Sequence, residues 1–195
     1  MAHRLPYPHV ALAGLLVMSW LTLSCTSPPL HPTQPLISGP AVGETLKRAQ
    51  AGDPNAQNEL GLLYSEGRGL PQNYLEAKAW FKKAADQGHA GAQVNLGTLY
   101  SLGRGAPYSD YMALFWFQKA ADQRNALAFA KLGMMYERGR AVPQNVIEAH
   151  MWYNLSVAYG EKRAAESRDA VAAQMTRGQI AEAEDRAKKW TPKRQ

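Results

Sequence analysis

The chain has 195 residues, of which 46% are hydrophobic and 19% charged, with a formal charge of +6. This is enough apolar material for one domain with its own core, and it excludes a disordered chain. The charge is uneven: residues 52–159 carry ten Lys or Arg against nine Asp or Glu, whereas 160–195 carry nine against six. The excess gathers at Lys188-Lys189 and in the basic tail 191–195. No aromatic–basic platform accompanies it, so it reads as a solvated helix end, and no nucleic-acid partner is expected. The single cysteine, Cys25, excludes an intramolecular disulfide.

In chain order, Arg4 gives a short positive start, and Val10 to Leu23 is an apolar run broken only by Gly14, Ser19 and Thr22. That run is shorter than the roughly 20 residues a membrane-spanning helix needs, and it has the length of a secretory signal. Residues 1–24 are read as such a signal. Leu21 to Cys25 resembles the end of a bacterial lipoprotein signal, with Ser24 as the small residue before the cysteine and Thr22 where that family usually has Leu. The resemblance implies a lipid on Cys25, and Thr26 in place of a retention Asp implies the outer membrane. Ordinary cleavage near Ser24–Ser27, giving a soluble periplasmic or secreted protein, is the alternative. Residues 25–42 then read as a tether, because the five prolines in 26–42 oppose a regular helix.

A short helix is expected over 43–51, aligned with the end of a repeat unit. The repeat itself follows. Leu60-Gly61-Leu62-Leu63-Tyr64 returns as Leu96-Gly97-Thr98-Leu99-Tyr100 and as Leu132-Gly133-Met134-Met135-Tyr136, each step being 36 residues. Trp80, Trp116 and Trp152 keep the step, and aligning 52–87 on 88–123 gives 20 identities without a gap. The units are 52–87, 88–123 and 124–159.

Each unit reads as two helices. Ala56, Leu60, Leu63 and Tyr64 share one face of the first, and Ala77, Trp80, Phe81, Ala84 and Ala85 one face of the second. Gly67 and Pro71 punctuate the connection. Asn73 with Glu76, and Asn145 with Glu148, have capping-box spacing, whereas Ser109 has Met112 where the acid would be. A mid-helix glycine costs about 1 kcal/mol relative to alanine. Its recurrence at Gly61, Gly97 and Gly133 therefore implies a close helix approach, with Trp80-Phe81 filling the space. The third copy drifts: Arg124 stands where Gly88 and Gly160 stand, Ala141 replaces the second loop glycine, and Ser156 replaces an alanine. Residues 160–190 read as terminal capping helices, the last opened by Thr176 with Gln179 and running to about Lys189.

These residues, from Ala56 and Leu60-Gly61 to Trp80-Phe81, Ala84-Ala85 and Gly88, resemble the SEL-one-like repeat, a relative of the tetratricopeptide repeat. The resemblance implies an all-α, right-handed α/α solenoid of three helix-turn-helix repeats with flanking capping helices. Met175-Thr176, Gln179-Ile180-Ala181 and Trp190 resemble the terminal helices that accompany such repeats.

No sequence pattern of a nucleophile, a metal site or a phosphate loop occurs, and no cofactor is expected. His89 and His150 read as structural. Arg68, Arg104 and Arg140 sit on equivalent turns; each is expected to pair with a nearby helix end or carboxylate, such as Glu66 or Glu137, rather than to form a ladder for acidic ligands. The expected function is a non-catalytic scaffold of the bacterial cell envelope, binding a peptide or protein on its concave surface. The positions named for that surface are those where the copies disagree: Glu59, Leu62, Asn95, Thr98, Lys131 and Met134. The alternative is a secreted enzyme or binder acting on β-lactams or peptidoglycan. It is a weaker analogy, because the members described so carry a disulfide in each repeat and this chain has no repeat cysteine.

Overall fold

The computed structural model describes residues 40–192; the signal-like segment, Cys25 and most of the tether lie outside them, as do the last three residues. The described residues form nine helices and no strand. They are α1 (Pro40–Gln50), α2 (Pro54–Glu66), α3 (Tyr74–Asp86), α4 (Ala90–Leu102), α5 (Asp110–Asp122), α6 (Ala126–Arg138), α7 (Val146–Ala158), α8 (Ala164–Ala172) and α9 (Arg177–Lys189). α2 with α3, α4 with α5 and α6 with α7 are the three repeat pairs, and each pair packs on the next through α3–α4 and α5–α6. None of these helices is long and apolar enough to cross a membrane.

The capping residues explain where each helix begins. Asp53 accepts from the Asn55 and Ala56 amides ahead of Pro54, and Asn125 accepts from Ala128. His89 does the same for α4, its Nδ1 accepting from the Ala92 amide at 3.0 Å. Asn73 and Asn145 cap α3 and α7, but the reciprocal half of the expected box is absent. The reason is local: the Asn73 and Asn145 amides already donate to the carbonyls of Tyr64 and Tyr136, each at 2.9 Å. Thr176 and Gln179 make both halves of their box. α1 starts at Pro40, inside the stretch assigned to the tether, because proline is tolerated in a first helical turn.

The core of each pair is the contact of a first-helix glycine with a second-helix ring. A Cβ on Gly61 would lie 2.5 Å from the Phe81 ring, on Gly97 2.7 Å from Phe117, and on Gly133 2.7 Å from Tyr153. Phe81 and Phe117 are fully buried beside Leu60, Leu96 and Leu132. The partner of the glycine is thus the ring after the tryptophan, not the tryptophan. Trp116 is buried, but Trp80 and Trp152 are only half-buried. The 36-residue period marks equivalent positions without marking equal depth.

Between pairs, a buried glutamine bridges. Gln57 donates to the Ala49 carbonyl and accepts from Gln87; Gln93 donates to the Ala85 carbonyl and accepts from Gln123. The first bridge shows α1 acting as the end of a preceding second helix. In the third repeat the same two places hold Phe129 and Tyr159, with ring centroids 5.3 Å apart. Trp190, just past α9, meets Phe129 edge-on at 5.1 Å and Trp152 at 5.9 Å. Ser156, in an alanine's place, donates to the Ala126 carbonyl at 2.8 Å, so its burial leaves no unmet hydroxyl. After the last pair, α8 packs on α7, with buried Ala164 in the place of Ala56, Ala92 and Ala128. The drifted residues Arg124 and Ala141 both hold positive φ of 60° in turns where the other copies have glycine.

Two outcomes follow from this packing. Gly97→Leu forces branched carbon into the Phe117 ring and lowers stability by about 2–3 kcal/mol, or about 5–10 °C in melting temperature; an unchanged thermal melt would refute the close-approach account. His150 is buried, its Nδ1 3.2 Å from the Asn154 amide, and it is held below the ordinary histidine range first by burial and then by the Arg168 guanidinium. The unfolded chain therefore takes up a proton that the folded chain refuses. Stability is fully present above pH ~6.5 and falls as pH drops from there towards the lowered folded value. Denaturant titrations at pH 7.5 and pH 5 should show a smaller loss for His150→Gln than for the wild type.

Candidate functional site

The first helices α2, α4 and α6 carry the positions at which the copies disagree. Asn95 on α4 donates to Asn58 on α2 at 2.9 Å, which links adjacent repeats on this face. Thr98 turns its hydroxyl back to donate to the Val94 carbonyl at 2.8 Å. Leu62, Asn95 and Thr98 come together in one cavity of about 190 Å³ between α2 and α4, with Tyr74 and Arg104 at its edge.

Lys131 and Met134 line a second cavity, of about 370 Å³, formed by α6, α7 and α8. Leu127 and Ala130 supply its apolar wall, Arg138 and Arg163 add cations, and Glu161, which accepts from the Arg163 amide at 3.2 Å, adds a carboxylate. Tyr153 donates to the Glu137 carboxylate at 2.7 Å, and burial together with that carboxylate keeps the phenol protonated far above its ordinary range. Glu137 is therefore engaged. Lys131 is half-buried, its pKa is lowered by desolvation, and it pairs with no carboxylate among the described residues. Glu59, by contrast, is exposed on α2 and lines neither cavity.

The expected positions thus divide into two concavities and one outlier. Leu127 and Arg138 were missed. Both obey the rule that chose the others, since 55, 91 and 127 are Asn, Gly and Leu, and 66, 102 and 138 are Glu, Leu and Arg. Arg163, just before α8, and Ser167 on α8 lie beyond the three units, 36 residues after Leu127 and Lys131.

The loop arginines are engaged elsewhere. Arg68 pairs with Glu66 at 2.5 Å, as expected. Arg140 does not use Glu137; it reaches one repeat back, to Asp110 at 2.6 Å and to the Ser101 carbonyl at 3.0 Å. Burial pushes the Asp110 carboxyl up, but the bonds from Arg140 and Tyr108 outweigh it and leave the group below its ordinary range. Arg104 lies over the Tyr74 ring at 5.2 Å, the equivalent contact one repeat earlier. Arg104 and Arg140 join consecutive repeats, Arg68 pairs within its own, and the three form no open ladder.

His89 caps α4 and His150 is enclosed, and neither lines either cavity. No group of three or more His, Cys, Asp or Glu that could hold a metal occurs among the described residues.

The sequence model of the Sel1 repeat family matches residues 54–89, 90–125 and 126–158. Its units open on the first helices, two residues after the turn glycines that open the 36-residue units at 52 and 88. A crystal structure of a Sel1 repeat protein from Oxalobacter formigenes is similar, with 36% identity and a TM-score of 0.60, over 66% of this chain and 53% of that one. The crystal structure of c5321, a protective antigen present in uropathogenic Escherichia coli strains and displaying an SLR fold, is similar in fold. The identity is 24% and the TM-score 0.58, over 76% of this chain and 40% of that one. The chain therefore spans about half the length of these proteins or less. No curated protein matches it. Proteins of such repeats generally mediate protein–protein interaction and are typically non-catalytic. With three consecutive matches over the helix pairs that form its core, the chain belongs to the Sel1 repeat family.

Proposed function

We propose that the chain is a non-catalytic interaction scaffold of the bacterial cell envelope, a lipid-tethered clamp on a peptide or protein segment, with Cys25 as the anchor and the first-helix cavities as the seat. The observation that carries the reading is Lys131. A half-buried ammonium that pairs with no carboxylate among the described residues, beside Arg138, Arg163, Leu127 and Met134, is suited to a ligand that offers a carboxylate next to an apolar side chain. Desolvation of the lysine in the free protein makes an incoming carboxylate more favourable than it would be at a fully hydrated cation. The smaller cavity at Leu62, Asn95 and Thr98 would take a further, less charged part of the same ligand. The sequence around Ser24-Cys25 supports the tether, which would hold the repeats off the bilayer.

Quantitative crosslinking pulldown from the native envelope tests the seat. Lys131→Met should lower recovery of the main partner about tenfold, the loss of roughly one charged contact of 1.4 kcal/mol. The triple change of Glu59, Asn95 and Lys131 should lower it no less. Undiminished recovery with the triple variant would move the binding surface off these helices. For the anchor, radiolabelled palmitate should enter the wild type and not Cys25→Ala; labelling of both, or of neither, rules the lipid on Cys25 out.

A further inference from the structure

The opposite, second-helix side carries an apolar stripe that only the third repeat covers. On α7, Ile147, Met151 and Leu155 follow one another at four-residue steps, and Met151 and Leu155 are each 5% exposed. α9 packs on α7, with Ala183 fully buried and Ala187 and Trp190 in the same apolar cluster. Thirty-six residues earlier, α5 offers Tyr111 and Phe115 in the places of Ile147 and Met151, and they are 75% and 44% exposed. Met112 and Tyr108 extend the patch. Contiguous exposed aromatic surface of this kind marks a place of contact.

The uncovered stripe is continuous with the covered one. Phe115 and Lys119 on α5 share a cavity of about 410 Å³ with Trp152 and Trp190, and Asp122, itself engaged, lies one turn beyond Lys119 on its wall. The groove beside docked α9 is thus walled by α9's own terminal aromatic on one side and by the open α5 stripe on the other. A second helix laid there would sit alongside α9, on the face of α5 that corresponds to α9's seat on α7.

The charged positions say what kind of helix fits. On α7, Glu148 binds Arg186 of α9, and apolar Leu155 borders Ala187 and Trp190. On α5 the first place is Met112, which is apolar, and the second is Lys119, whose ammonium lies 5.0 Å from the Phe115 ring centre and 5.5 Å from that of Trp116. Lys82 on α3 also approaches the Trp116 ring, at 5.9 Å. The requirements are therefore inverted: α9's arginine would meet a methionine, and its alanine would meet a lysine. A second copy's α9 is a poor match.

We infer that the α5 stripe of Tyr111, Met112 and Phe115 is a second docking surface, taking an amphipathic helix of a partner protein with a small apolar seam and an acidic flank against Lys119. It is independent of the first-helix cavities. The groove seats an added helix as α9 is seated, through ring-lined apolar contact.

The test uses the full chain and two synthetic helical peptides with the same Ala/Leu seam, one flanked by Glu and one by Lys. Binding is followed by calorimetry, with sedimentation run in parallel. The Glu-flanked peptide should bind the wild type at least tenfold more tightly than the Lys-flanked one. Phe115→Ser with Tyr111→Ser should abolish the difference while leaving the thermal melt intact, since both side chains are exposed. Lys119→Glu should reverse the peptide preference, and both chains are read in the Lys131→Met background so that the first-helix cavity contributes no carboxylate contact. Equal binding of both peptides, no binding of either, or binding that survives the double serine change would overturn the inference. So would a chain that dimerises through this stripe, detected as a concentration-dependent mass lost in the double variant. Because the peptide binding is read separately from Lys131, its failure leaves the first-helix seat standing, and the reverse also holds.

Discussion

Everything in this solenoid rests on the approach of one ring to a bare patch of helix. Gly61, Gly97 and Gly133 let Phe81, Phe117 and Tyr153 lie where a Cβ would otherwise stand, at 2.5 to 2.7 Å. Because the two helices of a pair meet this closely, the alanines on either side have to be small. Ala77, Ala84, Ala113, Ala120 and Ala149 are all fully buried. The helical cost of glycine is offset by burying a large ring in a matched space, so the choice recurs in every copy.

That contact positions the faces that remain. With the ring turned into the pair, the first helices are free to vary outward, and the second helices present their own outer stripe. Joining the pairs is a separate task, and polar groups perform it. Gln57 and Gln93 each bind a carbonyl of the preceding helix, and Arg140 reaches back to Asp110 and the Ser101 carbonyl. Such bonds are directional where apolar packing is not, so they set the register of one pair on the next.

The pairs were legible in the sequence because their signals are local and repeated. The 36-residue step, the helix faces and the mid-helix glycines each show in a short window. The joints were not. Arg140 lies three residues from Glu137, and proximity along the chain suggested that pair; the fold instead brings Asp110 to it from thirty residues away. Asn73 and Glu76 have the spacing of a capping box, but a bond from the Asn73 amide to the Tyr64 carbonyl, nine residues back, removes the donor. Trp80, Trp116 and Trp152 look equivalent in sequence and differ in depth, since what covers each is a neighbouring pair or the terminal helix. The cavity at Lys131 was partly legible, because variation between copies marks the outward positions. Arg163 and Ser167 were not, since the recurring residue types stop after Gly160 although the 36-residue step runs on into α8.

The end of the array shows why the third copy drifts. A repeat with no successor leaves its last face to solvent, and an open apolar end invites further stacking. Here the glutamine bridge of the first two joints gives way to Phe129 and Tyr159, whose rings meet at 5.3 Å where the amide pair stood, so this joint is apolar. Trp190 then closes on Phe129 and Trp152, and Arg186 ties α9 to Glu148. Substitutions that look like decay of the repeat are a matched set, and together they convert a stacking surface into a seat for α9. The same conversion explains the asymmetry of the outer stripe. Ile147, Met151 and Leu155 are apolar throughout because a helix lies on them. Tyr111, Phe115 and Lys119 keep the apolar start and change the far end to a cation, which rules out the internal helix and leaves the surface for a differently charged one.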